Sequence, residues 1–255
     1  MGKRVLAFGC HPDDIEFMAA GTLALLSARG WDLHLATMTG GEVGSAELKS
    51  REIRAVRLKE AEESAAILGA AYHYAGGCDL QVRYDDHYQQ LAVRVVREVA
   101  PDVILTHFPT DYLLDHEETS RLVRNAAFIA SVPLYDDGLS LPAIKSIPYL
   151  YYWNAFGGTD NFGRPIPVSF GIEITSVMET KRRMLEAHAS QRDWLKYINN
   201  FDKYAEEMLT MSRKQGELIG REYAECFVQH VGSGHPVGNI LARELEDHFV
   251  RCRPG

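Results

Sequence analysis

The sequence is poor in several features that would assign it to a specialised class of protein. Its 255 residues hold four widely spaced cysteines without a C-x-x-C pair, so neither a disulfide framework nor a zinc ribbon is indicated. No block of lysine and arginine stands out and the formal net charge is −8, which argues against a nucleic-acid partner. No apolar run approaches the length of a membrane span or of a signal peptide's hydrophobic region. We therefore expect a cytoplasmic protein without a membrane partner.

The glycine motifs of nucleotide-binding proteins are also missing. The loop after the first predicted strand lacks G-x-G-x-x-G, and the glycine-rich loop at residues 40–45 lacks the G-K-[ST] of a P-loop. The backbone N–H groups of that loop could still cradle a phosphate. We favour the interpretation that it forms the rim of a metal pocket.

Strand-like and helix-like segments alternate through the first half of the chain. We predict strands at residues 5–8, 32–39, 70–75 and 102–108, and helices at residues 15–29, 47–68 and 88–99. Such alternation implies right-handed βαβ units. The predicted fold class is therefore α/β, with a Rossmann-like, mostly parallel sheet flanked by helices.

The second half of the sequence has a different pattern. We predict irregular structure with short strands over residues 131–170, two helices over 178–219 that break near Asn199 and Asn200, and a last helix over 239–250. The result is a helical C-terminal extension. No linker divides the chain, so we predict one domain over residues 1–255, with a core at 1–130 and an extension at 131–255 that completes the pocket.

The first predicted strand ends abruptly in His11-Pro12-Asp13-Asp14. In open α/β sheets, ligands bind just beyond the carboxyl ends of the strands, which is where these residues fall. His11 and Asp14 are close enough across the turn to share a divalent cation, and Asp13 would remain as a free carboxylate that could activate water. The alternative is a helix start that Asp13 or Asp14 caps, with His11 as a core histidine.

A second histidine and aspartate follow the strand at residues 102–108. Asp115 and His116 open a new helical pattern on the loop after that strand. Together with the first motif, they predict a site of two histidines and one carboxylate with open coordination positions, which is the ligand count of a catalytic metal centre.

At these motifs, the chain resembles the PIG-L/LmbE-like family of metal-dependent N-deacetylases, which remove acetyl groups from N-acetylglucosamine-type conjugates. H-P-D-D is the signature of that family, and the D-H at residues 115–116 matches its second motif. The resemblance implies metal ligands, a general base and substrate contacts. These are His11, Asp14 and His116 as ligands, Asp13 as base, and Arg57, Asp79 and His188 near the substrate. We expect Asp115 to orient a ligand or a neighbouring loop rather than to act as a fourth ligand.

One position departs from the family pattern. The second motif of the family usually reads H-P-D-H, whereas this sequence reads L-L-D-H, with Leu113 where a histidine helps to stabilise the transition state. Either another group takes over that function, with Tyr112, His107 and His188 as candidates, or the reaction differs from the usual amide hydrolysis.

The sequence thus predicts a zinc-dependent deacetylase acting on a small amino-sugar conjugate, with Fe²⁺ as an alternative ion because two histidines and a carboxylate also suit it. Two other classes stay open. One is a metal-dependent hydrolase or lyase with a non-sugar substrate, and the other is a metal-binding protein without turnover. The family resemblance also favours a homo-oligomer.

Overall fold

A computed structural model describes residues 2–192 and 204–252 of the chain. Its strands are β1 (Arg4–Gly9), β2 (Asp32–Thr39), β3 (Ala71–Gly77), β4 (Val103–Thr106), β5 (Tyr149–Trp153), β6 (Phe170–Glu173), β7 (Ala224–Gln229) and β8 (Phe249–Arg251). Its α-helices are α1 (Asp14–Met18), α2 (Ala20–Ala28), α3 (Ser50–Ile67), α4 (Asp86–Val99), α5 (Leu114–Ile129), α6 (Met178–Glu186), α7 (Tyr204–Ile219) and α8 (Ile240–Glu244). Within these residues, no helix is both long and apolar enough to cross a bilayer.

The strands form one mixed sheet in the order β3-β2-β1-β4-β5-β7-β6-β8. The pairs from β3 to β5 are parallel, whereas β5, β7, β6 and β8 pair antiparallel. The predicted α/β fold class is confirmed. The second half of the chain, however, supplies four strands as well as helices, so it extends the sheet as well as covering it.

Helices cover both faces of the sheet, which explains the continuous apolar runs of its strands. In β1, Val5 and Ala7 pack into the layer that contains α1, α2 and α6, and Leu6 and Phe8 pack into the layer of α4 and α5. The helices that connect the parallel strands move to the other face of the sheet after β3, and the strand order reverses between β1 and β4. Such a reversal opens a crevice at the carboxyl ends of the two strands, where α/β proteins bind ligands.

The predicted strand at residues 32–39 is β2, and the aromatic run that starts at Tyr149 is β5. The alternation in that run indicates a half-buried strand, but Leu150, Tyr151 and Trp153 are all buried. β5 lies between β4 and β7 and is covered on both faces, so its sequence pattern underestimates its burial.

Two predicted helical segments differ from the structure. The first helix is broken at Ala19 (φ −142°) into α1 and α2. The last helix ends at Glu244, and residues 249–251 form the edge strand β8 instead. The break predicted near Asn199 and Asn200 lies outside the described residues.

A buried carboxylate explains how α2 begins after that break. Glu225 on β7 accepts hydrogen bonds from the backbone N–H groups of Gly21 (2.8 Å) and Thr22 (2.7 Å), which are free at a helix N-terminus. Lys181 on α6 neutralises it across 2.6 Å, and both side chains are fully buried. The second half of the chain therefore holds the helix that follows the first motif.

Candidate metal centre and cavity

The H-P-D-D turn directs its two carboxylates to different sides. Asp13 has φ 109°, a left-handed conformation that is uncommon for a residue other than glycine. Asp14 begins α1 and turns back toward β1, where its Oδ2 accepts hydrogen bonds from the backbone N–H groups of Cys10 (3.0 Å) and His11 (2.7 Å). The turn therefore separates a carboxylate that faces the histidines from one that does not.

His11, Asp14 and His116 bring three donor atoms together. Nδ1 of His11 lies 3.2 Å from Nε2 of His116 and 3.6 Å from Oδ2 of Asp14, and Nε2 of His116 lies 3.4 Å from Oδ1 of Asp14. Zinc bonds of about 2.0–2.2 Å in a tetrahedron place donor atoms about 3.3–3.6 Å apart. The spacing of this group therefore fits a tetrahedral ion with one position open.

The other ring nitrogen of each histidine has a carboxylate partner. Oδ1 of Asp79 lies 3.0 Å from Nε2 of His11, and Oδ1 of Asp111 lies 2.9 Å from Nδ1 of His116. Metal-binding histidines usually donate their second N–H to such a group, which fixes the tautomer and the ring orientation. Asp79, predicted to lie near the substrate, thus also contacts His11.

The electrostatics of the cluster suit a cation. Burial alone would lower the pKa of His116, but Asp14 and Asp111 outweigh it and raise that pKa to about 10. Burial would raise the pKa of Asp14, but His116 and His107 hold it well below its usual range. Carboxylates therefore surround the histidines, and a bound divalent ion would supply the positive charge that this setting favours.

Among the described residues, two other groups of donors are close enough to bind an ion, namely Cys10 with His11 and Asp115, and His107 with Asp111 and His116. Each of them would use a histidine nitrogen that faces a carboxylate partner in the first arrangement. Asp115 accepts the backbone N–H of Leu80 at 2.7 Å, and it lies 3.6 Å from Nε2 of His11. This position behind His11 fits the orienting role predicted for Asp115.

Asp13 lies beside the donor group without joining it. Its Oδ2 accepts a hydrogen bond from the hydroxyl of Tyr204 at 2.6 Å and lies 3.6 Å from Nη2 of Arg57. Burial raises the pKa of Asp13, and the Arg57 guanidinium opposes part of that rise. A carboxylate with a raised pKa that is held next to a metal centre suits a general base.

Arg57 is held at the floor of the site by the backbone. Its Nη2 donates to the carbonyl of Pro12 at 2.6 Å and its Nη1 to the carbonyl of Gly41 at 3.1 Å. A Cβ on Gly41 would lie 1.9 Å from Nη1, and its φ is +64°, so only glycine fits this approach. Arg57 is buried and lines the cavity, as its predicted place near the substrate requires.

His188 differs from its predicted role as a substrate contact. The sequence places it in the middle of a helix, but it lies at the break after α6, is fully buried, and is absent from the cavity lining. Its Nε2 lies 3.2 Å from Oε1 of Glu16. Burial lowers the pKa of His188, but Glu16 outweighs this and leaves the pKa above its usual value. His188 is therefore paired with Glu16 in the interior, and the nearby Asp13 adds to the rise of its pKa.

The donor group opens into a cavity of about 560 Å³. Leu113 lines it, at the position where the family pattern has a histidine. Of the candidates to replace that histidine, His107 already uses its Nε2 in contacts with Asp14 (3.1 Å) and the backbone N–H of Cys10 (2.9 Å). His188 does not line the cavity. Tyr112 both lines the cavity and is exposed.

Sequence reasoning missed three residues of this site, namely Asp111, Tyr204 and Glu16. Asp111 carries a weak signal, since it follows β4 and precedes the D-H motif by a few residues. Tyr204 is 191 residues from Asp13 and lies in an ordinary helical pattern, so nothing local marks it.

The fold and the site together define the class of this protein. It is a Rossmann-like α/β protein with a His-Asp-His donor group and a separate carboxylate at the switch point of its sheet. Residues 6–127 match the family model described as PIG-L: GlcNAc-PI de-N-acetylase. Residues 6–127 therefore form a PIG-L (LmbE-like) domain.

Individual relatives agree with this assignment. The chain is 25% identical over 234 residues to the diacetylchitobiose deacetylase of Thermococcus kodakarensis, covering 88% of this chain and 81% of the relative. It is 27% identical over 203 residues to the 4-oxalmesaconate hydratase of Pseudomonas putida, covering 76% of each. The N,N'-diacetylchitobiose deacetylase structure from Pyrococcus horikoshii superposes with a TM-score of 0.76 over 93% of this chain and 87% of that one, at 24% identity. That last similarity supports the fold.

Proposed function

We propose that the protein is a zinc-dependent deacetylase that removes the acetyl group from an N-acetylglucosamine-type sugar or conjugate. The observation that carries the proposal is the donor group of His11, Asp14 and His116, with tetrahedral spacing, beside a carboxylate that does not join it. The diacetylchitobiose deacetylase among the relatives supports the substrate class.

His11, Asp14 and His116 would hold the ion, and Asp79 and Asp111 would keep the two imidazoles oriented toward it. When bound, a zinc ion would supply Lewis acidity that lowers the pKa of water and polarises an amide carbonyl. The same donor set would also accept Fe²⁺.

Asp13 is the proposed general base. It accepts a proton from the attacking water and returns it to the departing amine, so that the proton balance closes over one turnover. The carboxylate is held in this position by two contacts to its Oδ2. The Tyr204 hydroxyl lies 2.6 Å from that oxygen, and Nη2 of Arg57 lies 3.6 Å from it. A pKa raised by burial favours the proton uptake that this role needs.

We also propose that residues 131–255 complete the pocket of a single domain built on residues 1–130. Tyr204, Glu207 and Gln191 come from the second part and line the cavity, which supports this division of roles. The cytoplasmic location and the homo-oligomer stay predictions from the sequence.

The test combines metal analysis of the purified protein with an amine-release assay across acetylated amino sugars. We expect one ion per chain and amine release, with both lost in His116→Ala. His87→Ala serves as a matched control, because His87 is exposed and outside the cavity lining. An unchanged metal content in His116→Ala would refute the ligand assignment.

A hydratase or lyase reaction on a non-sugar substrate is the second candidate. Leu113, in place of the family histidine, and the 4-oxalmesaconate hydratase among the relatives both favour it. Bound metal without amine release from any acetylated substrate would select this alternative over the deacetylase.

A further inference from the structure

One side of the cavity is a continuous row of aromatic rings, Tyr112, Phe156, Phe17 and Tyr204, which we term the aromatic wall. Neighbouring ring centroids lie 5.5 Å (Tyr112–Phe156), 5.7 Å (Phe156–Phe17) and 5.1 Å (Phe17–Tyr204) apart. At one end of the wall, the ring centroid of Tyr112 lies 5.4 Å from that of His116. At the other end, the Tyr204 hydroxyl donates a hydrogen bond to Asp13. The wall therefore spans the reaction centre from ligand to base.

The mouth of the cavity is apolar as well. Tyr112 is 65% exposed and Phe156 37%, and on other parts of the lining Leu80 is 57% and Val43 47% exposed. Large apolar side chains that share one cavity mouth and face water mark a binding surface when they cluster in this way. Exposing these side chains to water costs free energy, and an apolar ligand group that covers them would remove this cost.

The charges of the lining argue against an anionic ligand group. Among the described residues, Arg57 is the one lysine or arginine that lines the cavity, and both of its Nη atoms already donate to backbone carbonyls. The acidic lining residues are Asp13, Asp14, Asp79, Asp111 and Glu207. A divalent ion would offset only part of this charge, so within the described lining a substrate carboxylate or phosphate in the outer cavity would find no lysine or arginine other than Arg57 to pair with.

Building on the proposed deacetylase function, we propose that the substrate carries an uncharged, apolar aglycone, alkyl or aryl, that packs against the aromatic wall and Leu80. The acetamide then lies at the donor group while the aglycone fills the outer cavity. Aromatic rings are suited to this because they offer large apolar faces at a low cost in side-chain entropy. The specificity of the site follows from burial of this group rather than from charge recognition.

The first experiment measures binding without turnover. In Asp13→Asn, calorimetry compares methyl, hexyl and carboxymethyl N-acetyl-β-glucosaminides in the presence of zinc. Each fully buried methylene contributes about fourfold in affinity, so a partly buried hexyl chain should bind at least about tenfold more tightly than methyl. The carboxymethyl compound should bind most weakly. Equal affinities for methyl and hexyl would overturn the proposal, and preference for carboxymethyl would overturn it in favour of an anionic substrate.

The second experiment tests the surface itself. Leu80→Ser should reduce the hexyl-to-methyl ratio of affinities at least severalfold, because it removes an exposed apolar side chain of the cavity mouth. Leu134→Ser is the matched control, since Leu134 is 96% exposed and does not line the cavity. An equal loss in both variants, or no loss in Leu80→Ser, would contradict the proposed surface.

The two proposals fail in different ways. If wild-type protein releases amine but has equal kcat/KM for methyl and hexyl substrates, the deacetylase function stands and the apolar aglycone is wrong. If no substrate releases amine while the calorimetric preference for hexyl holds, the reaction is wrong and the apolar binding surface stands.

Discussion

Asp13 and Asp14 are adjacent in the chain, yet the structure gives them opposite surroundings. Asp14 faces His116 and His107, which keep its pKa low, whereas burial raises the pKa of Asp13 beside Tyr204 and Arg57. The backbone of the turn causes this difference, because φ 109° at Asp13 points its side chain away from the histidines. One carboxylate is thus prepared to bind a cation and the other to accept a proton.

Replacing Asp13 or Asp14 with asparagine distinguishes the proton acceptor from the metal ligand. Asp13→Asn should retain its metal and lose roughly 10²–10⁴-fold in kcat with little change in KM, because the amide cannot accept a proton. Asp14→Asn should lose metal affinity first, and activity as a consequence. Metal analysis and initial rates on the same preparations measure both effects. If Asp13→Asn loses the metal while Asp14→Asn keeps it, the assignments are reversed.

Tyr112 is the remaining candidate for the function of the missing family histidine. A tyrosine hydroxyl is protonated at neutral pH, and partial desolvation together with the nearby Asp14 and Asp111 carboxylates raises the pKa of Tyr112 further, so the hydroxyl can donate a hydrogen bond. Tyr112→Phe keeps the ring of the aromatic wall and removes the hydroxyl. We expect kcat to fall on the order of 10²-fold with KM little changed, as for loss of one oxyanion donor.

Leu113→His supplies the reciprocal test of that position. In the Tyr112→Phe background it should restore part of kcat, because it returns a donor to the same cavity wall. Tyr84→Phe is the control, since Tyr84 lies outside the cavity lining. An unchanged kcat in Tyr112→Phe would assign the function to another group.

At the scale of elements, the candidate site depends on where helices begin. α1 and α5 start directly after the loops that follow β1 and β4, so His11, Asp14 and His116 meet at the switch point. Helix α2 depends on a distant carboxylate, because Glu225 caps it from β7 and Lys181 neutralises the charge. Burial lowers the pKa of Lys181, and its attraction to Glu225 opposes that shift.

Glu225→Gln should lower the free energy of unfolding by about 3–5 kcal/mol, because it leaves Lys181 buried without an anionic partner. Urea denaturation measures the loss. The control is Glu244→Gln, which breaks the partly exposed pair with Lys3 and should cost under about 1 kcal/mol. Similar losses in the two variants would contradict the importance assigned to the buried pair.

A second polar cluster ties α4 to the chain after α5. Arg97 donates to the carboxylate of Asp137 (2.9 Å) and to the carbonyls of Val132 (2.8 Å) and Leu141 (3.2 Å). Although burial acts to raise the pKa of Asp137, hydrogen bonds from the Leu139 N–H and from Arg97 lower it. The ionised carboxylate therefore stabilises this segment.

This pair predicts a specific pH dependence of stability. A group whose pKa is lowered on folding stabilises the protein above its unfolded value of 3.8, and the contribution is lost as the pH falls through the folded value. Wild type should thus be more stable than Asp137→Asn at neutral pH, and the difference should narrow below pH 3.8. Denaturation curves across pH measure this, with exposed Asp136→Asn as the control. A difference that does not change with pH would contradict the assignment.

In the molecule as a whole, the site joins parts of the chain that are far apart. The donor group links the end of β1 to the start of α5, and Tyr204 on α7 links the base to the C-terminal half. A ligand that binds only this assembled arrangement stabilises the folded state by mass action.

Removal of the metal should therefore lower Tm. At a free ion concentration of 100 times Kd, the stabilisation is about 2.7 kcal/mol, which corresponds to about 5–10 °C for a chain of this size. Thermal unfolding with and without a chelator measures the shift. His116→Ala should show almost no effect of chelator, and a wild-type shift retained in that variant would place the stabilising ion elsewhere.

Short-range patterns in the sequence determined the parallel half of the fold and the position of the site. The apolar runs of β1 and β4 are continuous because helices cover both faces, and each polar motif lies on the loop or helix start that follows one of these strands. His11, Asp14, His116 and Asp13 could therefore be predicted, since strand ends and side-chain chemistry are local properties of the chain.

Only the tertiary structure decided how those residues are supported. Tyr204 and Glu16 contact Asp13 and His188 across separations that no local pattern encodes. The pairing of Asp79 with His11 and of His188 with Glu16 is likewise not visible in the motifs that contain them. The same holds for β7, whose Glu225 caps a helix more than two hundred residues away in sequence. Burial and pairing depend on which segments meet in space, and the chain fixes this only through the packing of the whole sheet.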